Sequence, residues 1–338
     1  MKFGHDLLKQ IPKVELHLHL DCSLSFNSVR TLLPKITRDE YINNFAAPDK
    51  SADLANFLKC ATNSIRLLQT EKALRTAVQE LFVELEKDNV IYAEIRFAPL
   101  LHTRKGLLPE EVVDIVDESI STNSARKGII AGLILCTLRE FSEEQSYKTI
   151  QLVDRYFRDT NVVGFDIAGD EAGYSIDAHQ KAFDYAIKKD FPRTAHAGEA
   201  KGAASVWETL AHFEPQRIGH GVRSIEDVKL IEYLIKNDTF LEINPTCNIQ
   251  TNIYEKYADH PIDKLYKASV SLGISTDGRS LSNITLSEEY IKLADTFNWS
   301  AEQFQICNIN SLSHAFISQD EKDKLTLTYN SRFNALVD

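Results

Sequence analysis

The stretch VELHLHLDCS, residues 14–23, carries two histidines, His17 and His19, two positions apart. In a β-strand successive side chains point to opposite faces, so both imidazole rings lie on one face and the neighbouring leucines on the other. Two interpretations are open at this point. The histidines are either polar residues on a solvated strand face or half of a metal site, because imidazole is a common metal ligand.

More histidines and carboxylates follow other short apolar runs. His196 and Glu199 lie in TAHAGE, His220 in RIGHGV and Asp277 in ISTDGR, and Asp21 follows the first histidine pair. Each has an ordinary alternative, since a single histidine can be a buried structural residue and an aspartate can cap a helix. If the runs are strands of one barrel, however, all these side chains lie at the same rim, which favours a metal site.

Three histidines and one carboxylate, with water at an open position, make a mononuclear site for zinc or a similar divalent ion. Such an ion lowers the pKa of bound water towards ~7 and supplies hydroxide at neutral pH. Glu199 is then placed to act as a general acid, and His220 to orient or deprotonate the water. A two-metal hydrolase on this fold would have a lysine at the end of the fourth strand, where FDIAGDE has none. We therefore predict hydrolysis at one metal ion, and we expect Asp170 and Glu171 in that segment to be solvated loop carboxylates.

Eight runs rich in apolar and β-branched residues alternate with stretches of helical periodicity. The predicted strands are Val14–Leu20, Ile91–Phe97, Ile129–Leu138, Val162–Ile167, Arg193–His196, Arg217–His220, Thr239–Asn244 and Val270–Thr276. The predicted helices are Glu71–Asp88, Pro109–Arg126, Ser142–Arg158, Ala178–Lys189 and Ile225–Lys236. This alternation predicts an α/β fold with a parallel sheet, and eight units predict a (β/α)₈ TIM barrel. A doubly wound open sheet is disfavoured because HLDCSLS, after the first strand, lacks the glycine-rich turn of that fold.

One insertion interrupts the alternation. About seventy residues separate the first strand from the second, and their sequence, including SADLANFLKCATNSIRLLQ, is helical in character. In a barrel, an insertion after strand one lies over the C-terminal mouth, where active sites are found. No repeat, low-complexity tract or linker marks a boundary, so we expect residues 1–338 to form a single domain.

Composition limits the partners and the compartment. The net charge of −11 argues against a nucleic-acid partner, which is bound mainly through lysine and arginine, but it does not exclude an uncharged nucleoside. The start lacks the apolar segment of a signal peptide, and the longest apolar run, IIAGLILC, is too short to cross a bilayer, so no membrane partner is expected. Five scattered cysteines without a Cys-x-x-Cys pair suit reduced thiols in the cytoplasm.

The motifs PKVELHLHLD, GFDIAGDE, TAHAGE, RIGHGV and STDG, in that order, resemble the adenosine deaminase family over nearly the whole chain. The Cys-bearing zinc motif of the cytidine-type deaminases is absent from the sequence. The resemblance implies a zinc-dependent (β/α)₈ barrel that removes the 6-amino group of a purine nucleoside by hydrolysis. The residues that it implies are His17, His19, His196 and Asp277 as metal ligands, Glu199 as proton donor to purine N1, His220 as the histidine that orients the water, Gly169 at purine N3, and Asp21 with His19 at the sugar.

The resemblance also implies a hydrophobic lid, with Leu54, Phe57 and Leu58 at the three-and-four spacing of one helix face in the insertion. These three residues could equally belong to the ordinary core. The chain departs from the family pattern at two positions. Cys22 stands where the family usually has glycine, and Gly278 stands where it usually has a second acid that contacts purine N7.

The leading hypothesis is therefore a deaminase of adenosine and 2′-deoxyadenosine in purine salvage, with one Zn²⁺ per chain and a small-molecule purine nucleoside as substrate. The alternative within enzymes is a deaminase of another 6-aminopurine, such as adenine or a modified adenine nucleoside. A non-catalytic nucleoside-binding relative is disfavoured because the full set of metal-binding and acid–base residues is present.

Overall fold

The computed structural model describes residues 4–337 and contains eight β-strands, each parallel to its neighbours. They are β1 (Lys13–His19), β2 (Val90–Phe97), β3 (Ile130–Leu138), β4 (Val162–Ala168), β5 (Thr194–Ala197), β6 (Arg217–His220), β7 (Phe240–Ile243) and β8 (Leu272–Ile274). All eight predicted strands are present. The last, β8, is shorter than the predicted range, and beyond its end Asp277 pairs with Leu18 in an isolated bridge.

The strands follow one another in chain order. β1 to β4 form one four-stranded sheet and β5 to β8 form another. Isolated parallel bridges join the two sheets at both seams, between Leu18 and Asp277 and between Phe165 and Arg193. At the first seam the backbone N–H of Asp277 donates to the carbonyl oxygen of His17 over 3.1 Å. This arrangement agrees with the predicted (β/α)₈ barrel, whose strand ends converge at one rim.

Helices connect the strands and follow the last one. The helices are α1 (His5–Gln10), α2 (Phe26–Leu32), α3 (Arg38–Phe45), α4 (Leu54–Lys59), α5 (Thr62–Leu67), α6 (Glu71–Lys87), α7 (Pro109–Lys127), α8 (Glu143–Tyr156), α9 (Gln180–Lys188), α10 (Ala203–Phe213), α11 (Val228–Lys236), α12 (Pro245–Gln250), α13 (Ile262–Lys267), α14 (Leu286–Phe297), α15 (Ala301–His314) and α16 (Gln319–Val337). Four short 3₁₀ helices lie at Pro99–His102, Asp177–His179, Val222–Glu226 and Tyr257–Asp259. None of the helices in residues 4–337 combines the length and the apolar character that a membrane span requires.

Helix boundaries follow local capping. The predicted helix Ile225–Lys236 begins three residues late, at Val228, because the Asp227 side chain accepts a hydrogen bond from the N–H of Lys229 (2.9 Å) and caps α11. The predicted apolar face of α6 is buried against the core, as the three-and-four spacing indicates.

The barrel interior contains buried charges as well as apolar side chains. Arg96 on β2 contacts Asp166 on β4 (2.9 Å) and Glu242 on β7 (2.8 Å), and Arg217 on β6 also contacts Glu242 (2.7 Å). All four side chains are fully buried. Each ion therefore has a partner of opposite charge, as burial in a medium of low dielectric constant requires.

Candidate metal centre and active site

Four side chains converge at the C-terminal rim of the barrel: His17 and His19 from β1, His196 from β5 and Asp277 from the loop after β8. Their ligand atoms all lie within 4.8 Å of one another. His17 Nε2 is 3.2 Å from Asp277 Oδ1, and His19 Nε2 is 3.2 Å from His196 Nε2. The structure thus brings together all four residues predicted to bind a metal.

The hydrogen bonds behind two of these histidines fix where their lone pairs point. His17 Nδ1 lies 2.7 Å from Glu242 Oε2, and His196 Nδ1 lies 3.1 Å from Asp166 Oδ2. Because a carboxylate can only accept, each Nδ1 carries the proton and each Nε2 presents a lone pair to the centre. His17 Nε2 is buried and has no hydrogen-bond partner among the described residues. Burial, followed by the charge of Arg96, lowers the pKa of His17 well below its usual value, so the ring is neutral.

The lone pairs of His17 and His196 and the carboxylate of Asp277 face one another, and such a group of electron donors suits a cation. Three imidazole nitrogens and one carboxylate oxygen are the donor set that suits zinc and similar divalent ions. The residues present therefore fit a divalent metal ion, and the carboxylates of Glu242 and Asp166 orient two of the ligands.

Three buried charged residues of this centre were not predicted from the sequence: Glu242, Asp166 and Arg96, which bonds both carboxylates. A signal for them exists, because each is a charged residue within a run that otherwise indicates a buried strand: FLEI, FDIA and EIRF. A charge at such a position is paired or functional far more often than it is solvated.

The backbone is strained at two residues of the centre. His220 and Asp277 both have positive φ angles, 60° and 65°, although neither is glycine. Conformations of this kind cost about 1–3 kcal/mol each and concentrate at functional sites.

Gly219, next to His220, allows a close approach. A Cβ added there would lie 3.0 Å from His17 Cε1, so the glycine lets strand β6 approach the histidine.

Glu199 and His220 lie together beside the four ligands. Glu199 Oε2 is 3.7 Å from His220 Nε2, and both side chains are almost fully buried. Burial first, and then the charges of Asp277 and Glu171, raise the pKa of Glu199 well above its usual value. A raised pKa favours the protonated carboxyl group, which is the form that a general acid needs.

The expectation that Glu171 is a solvated loop carboxylate is wrong. Glu171 is buried, and it accepts hydrogen bonds from the backbone N–H groups of residues 198–201 and from the Ser205 hydroxyl. Four successive N–H groups that point to one place form an anion-binding concavity, which the carboxylate fills. Its neighbour Asp170 is partly exposed, and its carboxylate accepts from the N–H groups of Ala172 and Gly173 in its own turn (3.1 Å each).

Comparison with known proteins decides the family. A sequence model of the family described as adenosine deaminase matches residues 12–329. The chain belongs to the adenosine deaminase family. It is 34% identical to adenosine deaminase 1 of Streptomyces coelicolor, over 94% of this chain and 85% of that protein.

Solved structures agree with the fold. The chain is similar to an adenine deaminase from Arthrobacter aurescens (TM-score 0.87, 23% identity, 97% of this chain and 99% of that chain). It is also similar to an amidohydrolase from Burkholderia ambifaria with bound zinc (TM-score 0.90, 20% identity, 100% of this chain and 95% of that chain). The predicted family, the α/β fold and the assignment as a hydrolytic deaminase are confirmed.

The residues that the family resemblance places at the substrate lie around the same rim. Asp21 is buried, and its carboxylate oxygens lie 3.8 Å from His19 Nδ1 and 3.8 Å from His102 Nε2. Gly169 directly follows β4, and its φ of +98° is a conformation that side-chain-bearing residues rarely adopt. His102 was not singled out from the sequence.

The two departures from the adenosine deaminase pattern contact each other. A Cβ added to Gly278 would lie 2.5 Å from the Cβ of Cys22 and 3.0 Å from its carbonyl oxygen. The cysteine therefore occupies space that a side chain at position 278 would need, so that the residue at either position limits what the other can be.

The insertion covers this rim. Leu54 and Phe57 of α4 are buried, and they pack with Ala61, Cys247 and Leu281 in an apolar cluster separate from the main core. Leu58 is partly buried at the edge of this cluster. The Sγ of Cys247 lies 2.9 Å from Asp277 Oδ2, so the cluster adjoins the metal ligands. The three residues predicted for a lid thus lie outside the main barrel core.

Proposed function

We propose that the chain catalyses the hydrolytic deamination of adenosine and 2′-deoxyadenosine to inosine and 2′-deoxyinosine plus ammonia, with one Zn²⁺ per chain. The observation that carries this proposal is the convergence of four ligand atoms within 4.8 Å, beside the buried Glu199, whose pKa is raised. Residues 4–337 contain one group of side chains with this spacing, which supports a single ion. Family membership supports the reaction class.

His17, His19, His196 and Asp277 would hold the ion. When bound, a zinc ion polarises water and supplies a hydroxide nucleophile near neutral pH. Glu242 and Asp166 keep His17 and His196 in the tautomer that binds metal, because each carboxylate accepts the Nδ1 proton.

Glu199 supplies the proton that makes the purine ring accept a nucleophile at C6. In the proposed reaction its carboxyl donates to N1, so that electrons from the N1–C6 bond go to a protonated nitrogen. Glu171 holds the backbone around Glu199, while burial, followed by the charges of Asp277 and Glu171, raises the pKa of the acid. His220 orients the attacking water.

Asp21 and His19 would bind the sugar hydroxyls, and the backbone at Gly169 would meet purine N3. The cluster around Leu54 and Phe57 would act as a lid that excludes water while the ring is attacked. We further propose that the whole chain is one catalytic domain of purine salvage, and five free cysteines favour a reducing cytoplasm.

The experiment is metal analysis followed by a substrate panel on the purified protein. One equivalent of zinc is expected, together with loss of the ultraviolet absorbance of adenosine and release of ammonia. Removing the ion with a chelator should abolish turnover, and adding back one equivalent should restore it. Adenine and N6-methyladenosine test the alternative: if either is turned over and adenosine is not, the substrate is another 6-aminopurine. Two ions per chain at full occupancy would contradict the single-metal site.

A further inference from the structure

Three buried polar side chains, those of His260, Asn248 and His220, form a line of hydrogen bonds that ends beside the metal ligands. His260 Nε2 lies 3.2 Å from Asn248 Oδ1, and Asn248 Nδ2 lies 3.0 Å from His220 Nδ1. All three residues are at most 2% exposed. Asn248 lies on α12 after β7, and His260 lies between the 3₁₀ helix Tyr257–Asp259 and α13.

A backbone group fixes the direction of the whole line. The N–H of Ile262 at the start of α13 donates to His260 Nδ1 over 3.2 Å, and a backbone N–H can only donate. His260 Nδ1 must therefore carry a lone pair. Burial lowers the pKa of His260 to about 3, so the ring is neutral and its one proton is on Nε2.

The proton on His260 Nε2 orients the amide of Asn248. The atom that faces this donor must be the acceptor, Oδ1, which turns the Nδ2 group towards His220. His220 Nδ1 then has to accept, and a neutral His220 carries its proton on Nε2, the nitrogen that faces Glu199. Asn244 Nδ2 also faces the ring, but its distances of 3.4 Å to Nδ1 and 3.5 Å to Nε2 are longer than the 3.0 Å contact of Asn248 with Nδ1.

We propose that His260 and Asn248 are positioning residues that hold His220 in the Nε2–H tautomer, so that His220 orients the attacking water as a hydrogen-bond donor and does not remove its proton. The inference rests on the proposed place of His220 beside the water. It decides between the two roles that the sequence left open, because a nitrogen that already carries a proton has no lone pair with which to act as a base.

The tautomers can be measured without turnover. Ring ¹⁵N NMR of the zinc-loaded protein distinguishes protonated from bare imidazole nitrogens, and spectra of His220→Gln and His260→Phe assign the two rings by loss of signal. In both His220 and His260 we expect Nε2 to be protonated and Nδ1 to be unprotonated. A proton on Nδ1 of His220 would overturn the proposal. This readout does not depend on substrate, so a protein that fails to deaminate adenosine still gives a clear result.

Two substitutions of Asn248 separate tautomer control from a structural role. Asn248→Asp keeps the shape of the side chain, but both carboxylate oxygens accept hydrogen bonds. The proton of His220 should therefore move to Nδ1, and kcat should fall by about 10–100-fold with little change in KM. Asn248→Ala leaves the ring free to sample both tautomers, and its kcat should fall less. If the isosteric Asp variant is the more active of the two, Asn248 is only structural and the proposal fails.

A matched control accounts for the buried charge of the Asp variant. Asn308 is also a buried, hydrogen-bonded asparagine, but its Oδ1 accepts from the N–H of Val14 and the hydroxyl of Tyr290 at the opposite end of β1. Asn308→Asp should lower stability without changing the kcat of the folded enzyme. His260→Phe keeps an aromatic ring between Tyr254 and Tyr257, and its kcat should fall as much as we expect for Asn248→Ala. Wild-type kcat in that variant would also overturn the proposal.

Discussion

The carboxylate of Glu171 accepts a hydrogen bond from the backbone N–H of Glu199, with the N–H nitrogen 3.0 Å from Oε2. The same carboxylate also accepts from the N–H groups on either side, so one buried side chain holds the loop that carries the proposed acid. The position of the Glu199 carboxyl is therefore set by a residue from another strand end.

Replacing Glu171 with glutamine should misplace this loop. The glutamine side chain presents its NH₂ donors to backbone N–H groups that need an acceptor, so the free energy of unfolding should fall by about 1–3 kcal/mol. Because small displacements of a catalytic group can reduce rates by about 100-fold, kcat should fall while the metal content is unchanged. Asp170→Asn is the matched control, since the Asp170 carboxylate accepts from the N–H groups of its own turn, and it should retain most activity.

Glu199→Gln should leave the metal bound and the fold intact but remove the proton that N1 requires. We expect kcat to fall by at least the ~10²–10⁴-fold typical of general acid catalysis. Steady-state kinetics and metal analysis on the same preparation check this. Turnover close to that of the unmodified enzyme would assign the acid role to another group.

The carboxylates behind the ligands should matter to metal affinity almost as much as the ligands do. His17→Ala and Asp277→Ala should lose most of the metal and the activity. Glu242→Gln should weaken zinc binding by about 10–100-fold, because the neutral amide supports the Nδ1 proton of His17 less well. Competition with a zinc-binding dye measures this, and unchanged affinity would show that Glu242 serves only the barrel's ion pairs.

The contact between Cys22 and Gly278 predicts strong coupling between the two positions. Gly278→Asp alone should be destabilised by about 1–3 kcal/mol, because its Cβ meets that of Cys22. Adding Cys22→Gly should recover much of this loss, which gives a coupling energy of about 0.5–3 kcal/mol in a double-mutant cycle. Denaturant titrations measure the cycle, and additive effects would contradict the packing.

Activity towards the 7-deaza analogue of adenosine tests the same pair. The unmodified enzyme should tolerate replacement of N7 by carbon, because glycine at 278 offers no side chain to that atom. The double variant should discriminate against the analogue in kcat/KM. A large penalty already present in the unmodified enzyme would mean that another group contacts N7.

Asp88 should make stability depend on acid pH. Burial by itself would raise its pKa, but Arg279, Lys13 and the hydrogen bonds of Ser287 outweigh burial and hold the pKa below its usual value. A carboxyl whose pKa is depressed in the folded state stabilises the protein fully above its unfolded pKa of about 3.9, and this stabilisation is lost as the pH falls further.

Asp88→Asn removes the charge and should cost roughly 3–5 kcal/mol at pH 7, as expected when a buried ion pair loses one partner. The difference in unfolding free energy between the two proteins should shrink as the pH falls below 4. Urea titrations at pH 7, 5 and 3 measure it. A difference that stays constant over this range would show that Asp88 is not charged in the folded protein.

The sequence by itself determined the strands and the rim residues, for a physical reason. Parallel strands that are buried on both faces require apolar runs such as IIAGLILC, and their period of two sends His17 and His19 to the same face. Because barrel strands all end at one rim, the order of the motifs was enough to predict that His196 and Asp277 join them.

Only the tertiary structure decided which groups stand behind these residues. Glu171, Glu242 and Asn248 are distant in sequence from the side chains that they hold. The sequence around Glu171 and Asn248 does not indicate burial, and the strand position of Glu242 indicates a partner without identifying it. Hydrogen-bond direction and steric overlap act between atoms that folding brings together. The tautomer of His220 and the exclusion of a side chain at Gly278 by Cys22 therefore depend on tertiary distances, which no local sequence pattern contains.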